Sequence, residues 1–333
     1  MHITLRQLEI FRAVALTGST TAAAQSVPLS QSATSTALGE FERSLGARLF
    51  DRVGKRLLLN DNGRALLPLA LGVLDGAQHV ERAFVAGGVN LAAELRLHAS
   101  TTIGNYILPR LLSGFRELVP AVLFDVRIGN TLDVVTAVRE FSVDLGLIEG
   151  PCHAADINIT PWLEDELVIV AAPGHPLAES SRRRKLTAEE LAHSPWLLRE
   201  PGSGTREAVE LALLPHLESI QPAMTLGSSE AIKNAAAEGL GISCLSRSVV
   251  ADLVSSGRLY VLETRLPPLT RRLALIHHRA KVLSETIRRF RQYCETYRAE
   301  TSGSVTAPKP RMRRRRAIAR EPAGGKRLPS SKL

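Results

Sequence analysis

A chain of 333 residues, 44% of them hydrophobic, can bury ample core, and its length points to two or more domains rather than one. The net charge of +9 sits in one place: residues 301–333 hold ten Lys or Arg against the single Glu321, leaving 32 of each sign in the first 300. Overall basicity is therefore no argument for nucleic-acid binding, which must be found in local charge and in a motif.

Cys152, Cys244 and Cys294 form no CxxC or Cys/His cluster, and an odd count fits a reducing compartment better than a disulfide framework. Neither a structural metal nor another cofactor is expected. Arg6, Gln7, Glu9 and Arg12 interrupt the apolar run a signal peptide needs, and no segment has the apolar length of a membrane span. A cytoplasmic protein without membrane contact is the expectation.

Leu5, Leu8, Phe11, Val14 and Ala15 recur at helical spacing, and Thr17-Gly18-Ser19 ends that helix and caps the next, which carries Ala22 to Ala24. Pro28 blocks continuation, and Ser30 supplies an N-cap for a third helix running to about Leu45, with Gly46 as its stop. In that helix Ala33, Ala37, Leu38, Phe41 and Leu45 are assigned inward, which leaves Gln31, Ser32, Thr34, Ser35 and Thr36 outward. Small polar side chains at an exposed helix N-terminus can donate to and accept from base edges in the major groove.

The stretches 49–52 and 56–59 flank Val53-Gly54-Lys55, a tight-turn sequence that predicts a two-stranded wing. Eight Lys or Arg against five acids lie between Met1 and Arg64, and Arg52, Lys55 and Arg56 place positive charge on the wing. Asn60 to Asn62 then cap a helix over 63–85, whose stripe Leu66, Leu67, Ala70, Val73, Leu74, Ala77, Val80 and Phe84 calls for a partner, expected to be a second copy. Gly87-Gly88 ends it.

From Glu94 onward, short β-like runs at 95–99, 122–128, 144–148, 167–172 and 273–277 alternate with helical patterns at 107–118, 132–140, 205–217, 231–238 and 284–297. That alternation predicts a two-lobed α/β architecture on a largely parallel sheet. After Glu300 the chain lacks apolar periodicity and reads as a disordered basic tail, in which Arg311 to Arg316 are assigned weak auxiliary contact with DNA phosphates rather than a purely solubilising role.

Two Ser/Thr loops precede helices. Ser100-Thr101-Thr102 follows a strand, and Ser203-Gly204-Thr205 lies in a Gly-rich turn. Hydroxyls and helix amides at such places suit a small anion, although either loop alone reads more simply as a cap. Cys244 reads as core and Cys152 as a small apolar packer; His277-His278 are assigned packing and surface roles, and Trp162 and Trp196 lobe packing. No His/acid pair accompanies Ser203 or Cys152, so an enzyme is not expected, and a solute-binding protein fits the second half alone.

The Leu8/Phe11 pair, Gly18-Ser19 before an alanine-rich helix, Leu29-Ser30-Gln31-Ser32-Ala33 and Leu45-Gly46-x-x-Leu49-Phe50-x-Arg52 together resemble the signature of LysR-type transcriptional regulators. Pro28 in the turn, and Thr36 where many members carry a basic residue, depart from it. The resemblance implies a winged helix-turn-helix over 1–60, a dimerising linker helix over 61–88, and a periplasmic-binding-protein-like effector domain over 94–300. Lobe I would take 94–165 and 270–300, lobe II 166–269, with 301–333 as the tail.

It further implies that Gln31, Ser32, Ser35 and Thr36 face the bases of double-stranded promoter DNA, that two subunits pair through the linker helix into a dimer of dimers, and that transcription responds through contact with RNA polymerase. Stretches such as STTIGNYILPRLL (100–112) and GSSEAIKNAAAEGLGISCLSR (227–247) resemble the sulfite-responsive subgroup of that family. By that likeness the effector is a small oxyanion, sulfite or a relative. Ser100, Thr101 and Thr102 would bind it, with Glu149, Gly150, Ser203, Gly204 and Thr205 on the facing edges and Asn130 as a further contact. A carboxylate at 149 opposes an anion unless protonated or paired, for instance with Arg206.

Overall fold

The computed structural model describes residues 3–54, 56–85, 94–217 and 219–302. The first unit packs α1 (Leu5–Thr17), α2 (Thr20–Ser26) and α3 (Gln31–Leu45) against a hairpin of β1 (Phe50–Val53) and β2 (Arg56–Leu59), followed by α4 (Asp61–Val85). Its helix ends are set by local chemistry. Gly18 and Gly46 take the left-handed conformation that closes α1 and α3, and the Ser19 and Ser30 hydroxyls accept from Ala22 N and Ala33 N. Phe11 lies at the centre, its ring 6.1 Å from that of Phe41 and 5.6 Å from that of Phe50.

α4 contributes Ala70, Leu71 and Leu74 to buried surface, while Leu69, Val73 and Val80 stay largely exposed on its other side. Lys55, Gly87-Gly88 and the tail with Arg311 to Arg316 fall outside the described residues.

The second unit runs β3 (Glu94–Ser100), a π-helical turn (Ile103–Ile107), α5 (Leu108–Leu118), β4 (Leu123–Gly129), α6 (Thr131–Arg139) and β5 (Leu145–Glu149). The chain then crosses on the long β6 (Ile157–Ala171) to α7 (Pro176–Ser181), α8 (Ala188–Ala192), β7 (Trp196–Arg199), α9 (Gly204–Leu213), β8 (Pro222–Leu226), α10 (Ser229–Ala237), β9 (Ser243–Ser246), α11 (Arg247–Ser255) and β10 (Tyr260–Val261). It returns on β11 (Leu269–His278) and ends with α12 (Glu285–Ser302).

The main sheet has the order β10-β6-β11-β5-β3-β4, with β9 also on β6. β3 pairs parallel with β4 and β5, but β11 is antiparallel to β5 and β6, and β9 and β10 are antiparallel to β6. The expectation of a largely parallel sheet is thus corrected to a curled mixed sheet. The cause is that two long strands, β6 and β11, each pass between the lobes in opposite directions, and their pairing shifts register between Arg272 and Ala274. On one side of that crossing, apolar clusters cover both faces around Leu97, Phe115 and Phe290 and around Val134 and Ile276. On the other, they centre on Trp196 and Val209 and on Val170 and Val249.

Trp162 and Trp196 are buried with their indole N–H groups donating to Cys294 O and Leu191 O. His277 and His278 are both buried, so the surface role assigned to one of them does not hold; alternate residues of β11 enter two separate apolar clusters, one on each face of the strand, and the Phe141 ring lies 4.5 Å from that of His278. Among the described residues no helix is long and apolar enough to cross a membrane, and no group of three or more His, Cys, Asp or Glu is placed to hold a metal ion.

Candidate DNA-binding surface and effector cleft

At the start of α3, Gln31, Ser32 and Thr36 are exposed and Ser35 is half-buried. The Ser30 and Ser32 hydroxyls lie 3.0 Å apart, and Gln31 Nε2 donates to Thr20 Oγ1 at 3.3 Å, which holds the glutamine over the α2–α3 turn. Thr34 is a correction. It is fully buried and its hydroxyl donates to Ser30 O, because positions 34, 38 and 41 form one inward stripe at helical spacing.

The wing carries Arg52 and Arg56 in exposed positions, and Leu57 N donates to Gly18 O at 2.8 Å, which fixes the hairpin beside the α1–α2 turn. Glu42, buried at the end of α3, accepts from Leu49 N at 2.7 Å and sets the path into β1. One rigid frame therefore presents α3 and the wing together.

The two Ser/Thr loops do meet where the lobes join, and they meet around Glu149 at the end of β5. Its Oε1 accepts from Thr102 N (2.6 Å) and Ile103 N (3.4 Å), the amides that open the π-helical turn. Its Oε2 accepts from the Thr205 hydroxyl (2.7 Å) and pairs with Arg271 Nη1 at 2.7 Å. The cradle that the sequence assigns to a small anion thus holds the chain's own carboxylate. Despite complete burial, which by itself raises a carboxyl pKa, Arg271 and then the Thr205 hydroxyl hold Glu149 down at about 2.

Arg271, not Arg206, is the counter-ion; Arg206 pairs with Glu210 at 2.8 Å along α9. The Arg271 guanidinium, 2% exposed, also reaches Asp165 Oδ2 (2.8 Å), Thr205 Oγ1 (2.8 Å) and Thr102 Oγ1 (3.2 Å). It therefore spans both loops. Carboxylates 149 and 165 against one guanidinium leave this buried junction with a formal charge of −1 if all three are ionised.

The remaining expected residues have definite places. Ser100 Oγ is buried and makes no well-formed hydrogen bond. Thr101 donates to Gly129 O, and Asn130 caps α6 by accepting from Asp133 N at 2.9 Å. Ser203 caps α9, its hydroxyl accepting from Arg206 N. Gly204 is obligatory, since a Cβ there would lie 1.5 Å from Glu149 O. Gly150, at φ +82°, packs on Gly204.

Sequence reasoning missed three contributors: Arg271, Thr131, whose hydroxyl donates to Glu149 O at 3.0 Å, and Tyr106. The Tyr106 ring, carried by the π-helical turn, packs on the Val170 cluster of the other lobe, and its hydroxyl donates to Glu230 on α10. A pocket of about 410 Å3 opens beside Gly150, Pro151, Ala208 and Arg271. Cys152 is half-buried, and burial raises the Cys244 thiol to about 12, which keeps it protonated.

A winged helix-turn-helix with an exposed polar recognition helix, followed by two lobes closed on a polar junction, defines a DNA-binding regulator with a ligand-sensing domain. Residues 5–64 match the family described as bacterial regulatory helix-turn-helix protein, lysR family, and residues 90–299 match the LysR substrate binding domain. The chain belongs to the LysR family of transcriptional regulators.

It is 52% identical over 295 residues to the Escherichia coli K12 protein named "Uncharacterized HTH-type transcriptional regulator YeiE", covering 89% of this chain and 98% of that one. A full-length OxyR variant from Pseudomonas aeruginosa shares the fold at a TM-score of 0.59 and 24% identity, over 89% of this chain and 94% of that one. The regulatory domain of Synechocystis CcmR in complex with 2-PG matches 62% of this chain and 97% of its own at 32% identity and a TM-score of 0.55.

Proposed function

We propose that this regulator reads promoter DNA through Gln31, Ser32, Ser35 and Thr36 on α3, with Arg52, Lys55 and Arg56 of the wing on the phosphates, and that a small protonated oxyanion, hydrogensulfite, controls it from the lobe junction. The observation that carries the effector reading is Glu149. A carboxylate ionised at neutral pH accepts hydrogen bonds only, so an anion beside it is favoured if it brings a proton to donate. Hydrogensulfite carries one near neutral pH, whereas sulfate does not. Ser100, which lacks a good partner, supplies a donor to the ligand's other oxygens.

All four hydrogen-bonding positions of Glu149 are taken, one of them by Thr205 from the opposite lobe. Ligand entry past Gly150 exchanges the Thr205 contact for the ligand's own and shifts the lobes, and this differential contact supplies the switching free energy. That the CcmR regulatory domain is in complex with 2-PG supports a small-molecule effector for a domain of this fold. The exposed Leu69, Val73 and Val80 of α4 support pairing of two copies, extended by family likeness to a dimer of dimers that contacts RNA polymerase in the cytoplasm. Residues 1–60, 61–88 and 94–300 act as reader, linker and sensor.

Calorimetric titration of the full chain with sulfite, sulfate and 2-PG tests the reading. Sulfite binds, more weakly as pH rises through its second ionisation, and sulfate does not; Glu149→Gln admits sulfate and loses the pH dependence. Sulfate binding the unaltered protein as tightly as sulfite, or 2-PG binding where sulfite fails, overturns it.

A further inference from the structure

A second buried ionic cluster lies far from the lobe junction, where α4 of the DNA-binding unit lies against the effector domain. Asp75 of α4 pairs with Arg96 Nη2 through Oδ1 at 2.7 Å and with Lys281 Nζ through Oδ2 at 2.7 Å. Asp144, just before β5, completes the set: it pairs with Arg96 Nη2 at 2.7 Å and Lys281 Nζ at 2.9 Å and accepts from Arg96 N at 2.9 Å. Two cations and two anions balance, and no side chain of the four is more than 15% exposed.

Three further features single this cluster out. Phe141, whose ring lies 5.7 Å under Lys281 Nζ, is the one described non-glycine residue at positive φ, at 57°, and such backbone strain persists only where the surroundings over-determine it. Among the described residues, the apolar cluster of the first unit includes none from the effector domain, and clefts of about 420 Å3 and 380 Å3 open between the two units on the flanks of the ion cluster. The third feature is the path of the strands. β3 carries Arg96 near one end and Ser100 at the other, and β11 begins near Arg271 and ends at His278, three residues before Lys281. Both strands thus run from the Glu149 junction to Asp75.

We infer that Asp75 is a positioning residue, the pin by which the effector domain grips α4 and so fixes the DNA-binding unit. With clefts on either side, the grip depends on this ion cluster more than on apolar packing, and removing one carboxylate leaves a buried positive charge uncompensated. The docking itself is independent of effector identity. Its use in signalling, in which displacement of β3 and β11 at the junction is passed to α4, rests on the function proposed above.

Hydrogen–deuterium exchange of the full chain without added ligand tests the docking. In Asp75→Asn the amides of 70–75 and 139–142 exchange about tenfold faster or more, those of β5 and β11 keep their protection, and Asp75→Glu restores the pattern. Lys281→Met, which removes the opposite charge, gives the same local map. Unchanged exchange in Asp75→Asn, or acceleration throughout the chain in both variants, overturns the pin.

The signalling arm is read separately, with sulfite as the probe. Asp75→Asn binds sulfite as the unaltered protein does, but its DNase footprint on promoter DNA no longer responds. A footprint change equal to that of the unaltered protein overturns transmission through Asp75. If the unaltered protein itself binds no sulfite, the effector assignment fails and the exchange result alone decides the pin.

Discussion

Replacing Arg271 by Met keeps much of the side-chain volume and removes the charge that Glu149 faces at 2.7 Å. Glu149 is held at about 2 against an ordinary 4.5, a difference worth roughly 3 kcal/mol at ~1.4 kcal/mol per unit. The folded-state value is depressed, so this contribution is complete above pH 4.5 and is lost as pH falls from there through 2. Without Arg271 the largest opposition to the desolvation of Glu149 is gone, only hydrogen bonds from Thr102 N, Ile103 N and the Thr205 hydroxyl remain, and its pKa rises. The variant is then most destabilised at neutral pH, and its deficit shrinks in acid.

Removing one partner of a buried ion pair costs about 3–5 kcal/mol, which lowers the melting temperature of a domain of this size by roughly 6–20 °C. Thermal unfolding followed by circular dichroism at pH 7 and pH 4 measures it, and Arg271→Met/Glu149→Gln recovers part of the loss because the orphaned carboxylate is gone. A deficit below ~1 kcal/mol, or one equal at both pH values, refutes the assignment of Arg271 and Glu149 as a coupled buried pair.

Thr205→Val removes a hydroxyl that donates to Glu149 and accepts from Arg271; the expected cost is about 1–3 kcal/mol in urea unfolding, with faster exchange at the lobe junction. Phe11→Ala empties the aromatic centre of the DNA-binding unit and costs about 3–5 kcal/mol by the same measurement, abolishing promoter binding at 37 °C. Arg56→Ala on the wing weakens promoter and scrambled DNA alike and reduces the slope of log affinity against log salt by about one, as fluorescence anisotropy between 50 and 200 mM salt (roughly) would show.

The first unit is legible in the sequence because its signals are local. Gly18, Ser19, Ser30 and Gly46 mark helix ends by residue type alone, and each performs that role in the structure. Thr34 misleads because a polar residue in the inward stripe of α3 looks like its exposed neighbours when sequence type is the only guide. The meeting of the 100–102 and 203–205 loops follows from their likeness, but what lies between them does not. Arg271 and Arg272 are adjacent on a strand and point to opposite faces, and nothing nearby tells which one is buried.

The partner of Arg271 at position 149 lies in a different strand, brought alongside by β11 pairing with β5. The same holds for Asp75, an ordinary acidic residue of an amphipathic helix until β3 and the turn after β11 supply Arg96 and Lys281. Sheet order is likewise underdetermined, since the run at 157–166 contains Pro161 and charged residues that mask the first half of β6. Long-range pairing, rather than periodicity, decides each of these.

Sequence-selective DNA binding by the α3 face is the claim on which the rest depends. Competition binding of the full chain to the promoter upstream of its own gene, against scrambled competitor at about 150 mM salt, is the most direct measurement. A preference of at least ~1000-fold that drops with Ser32→Ala while non-specific affinity holds is the predicted result; equal affinity for promoter and scrambled duplex contradicts it.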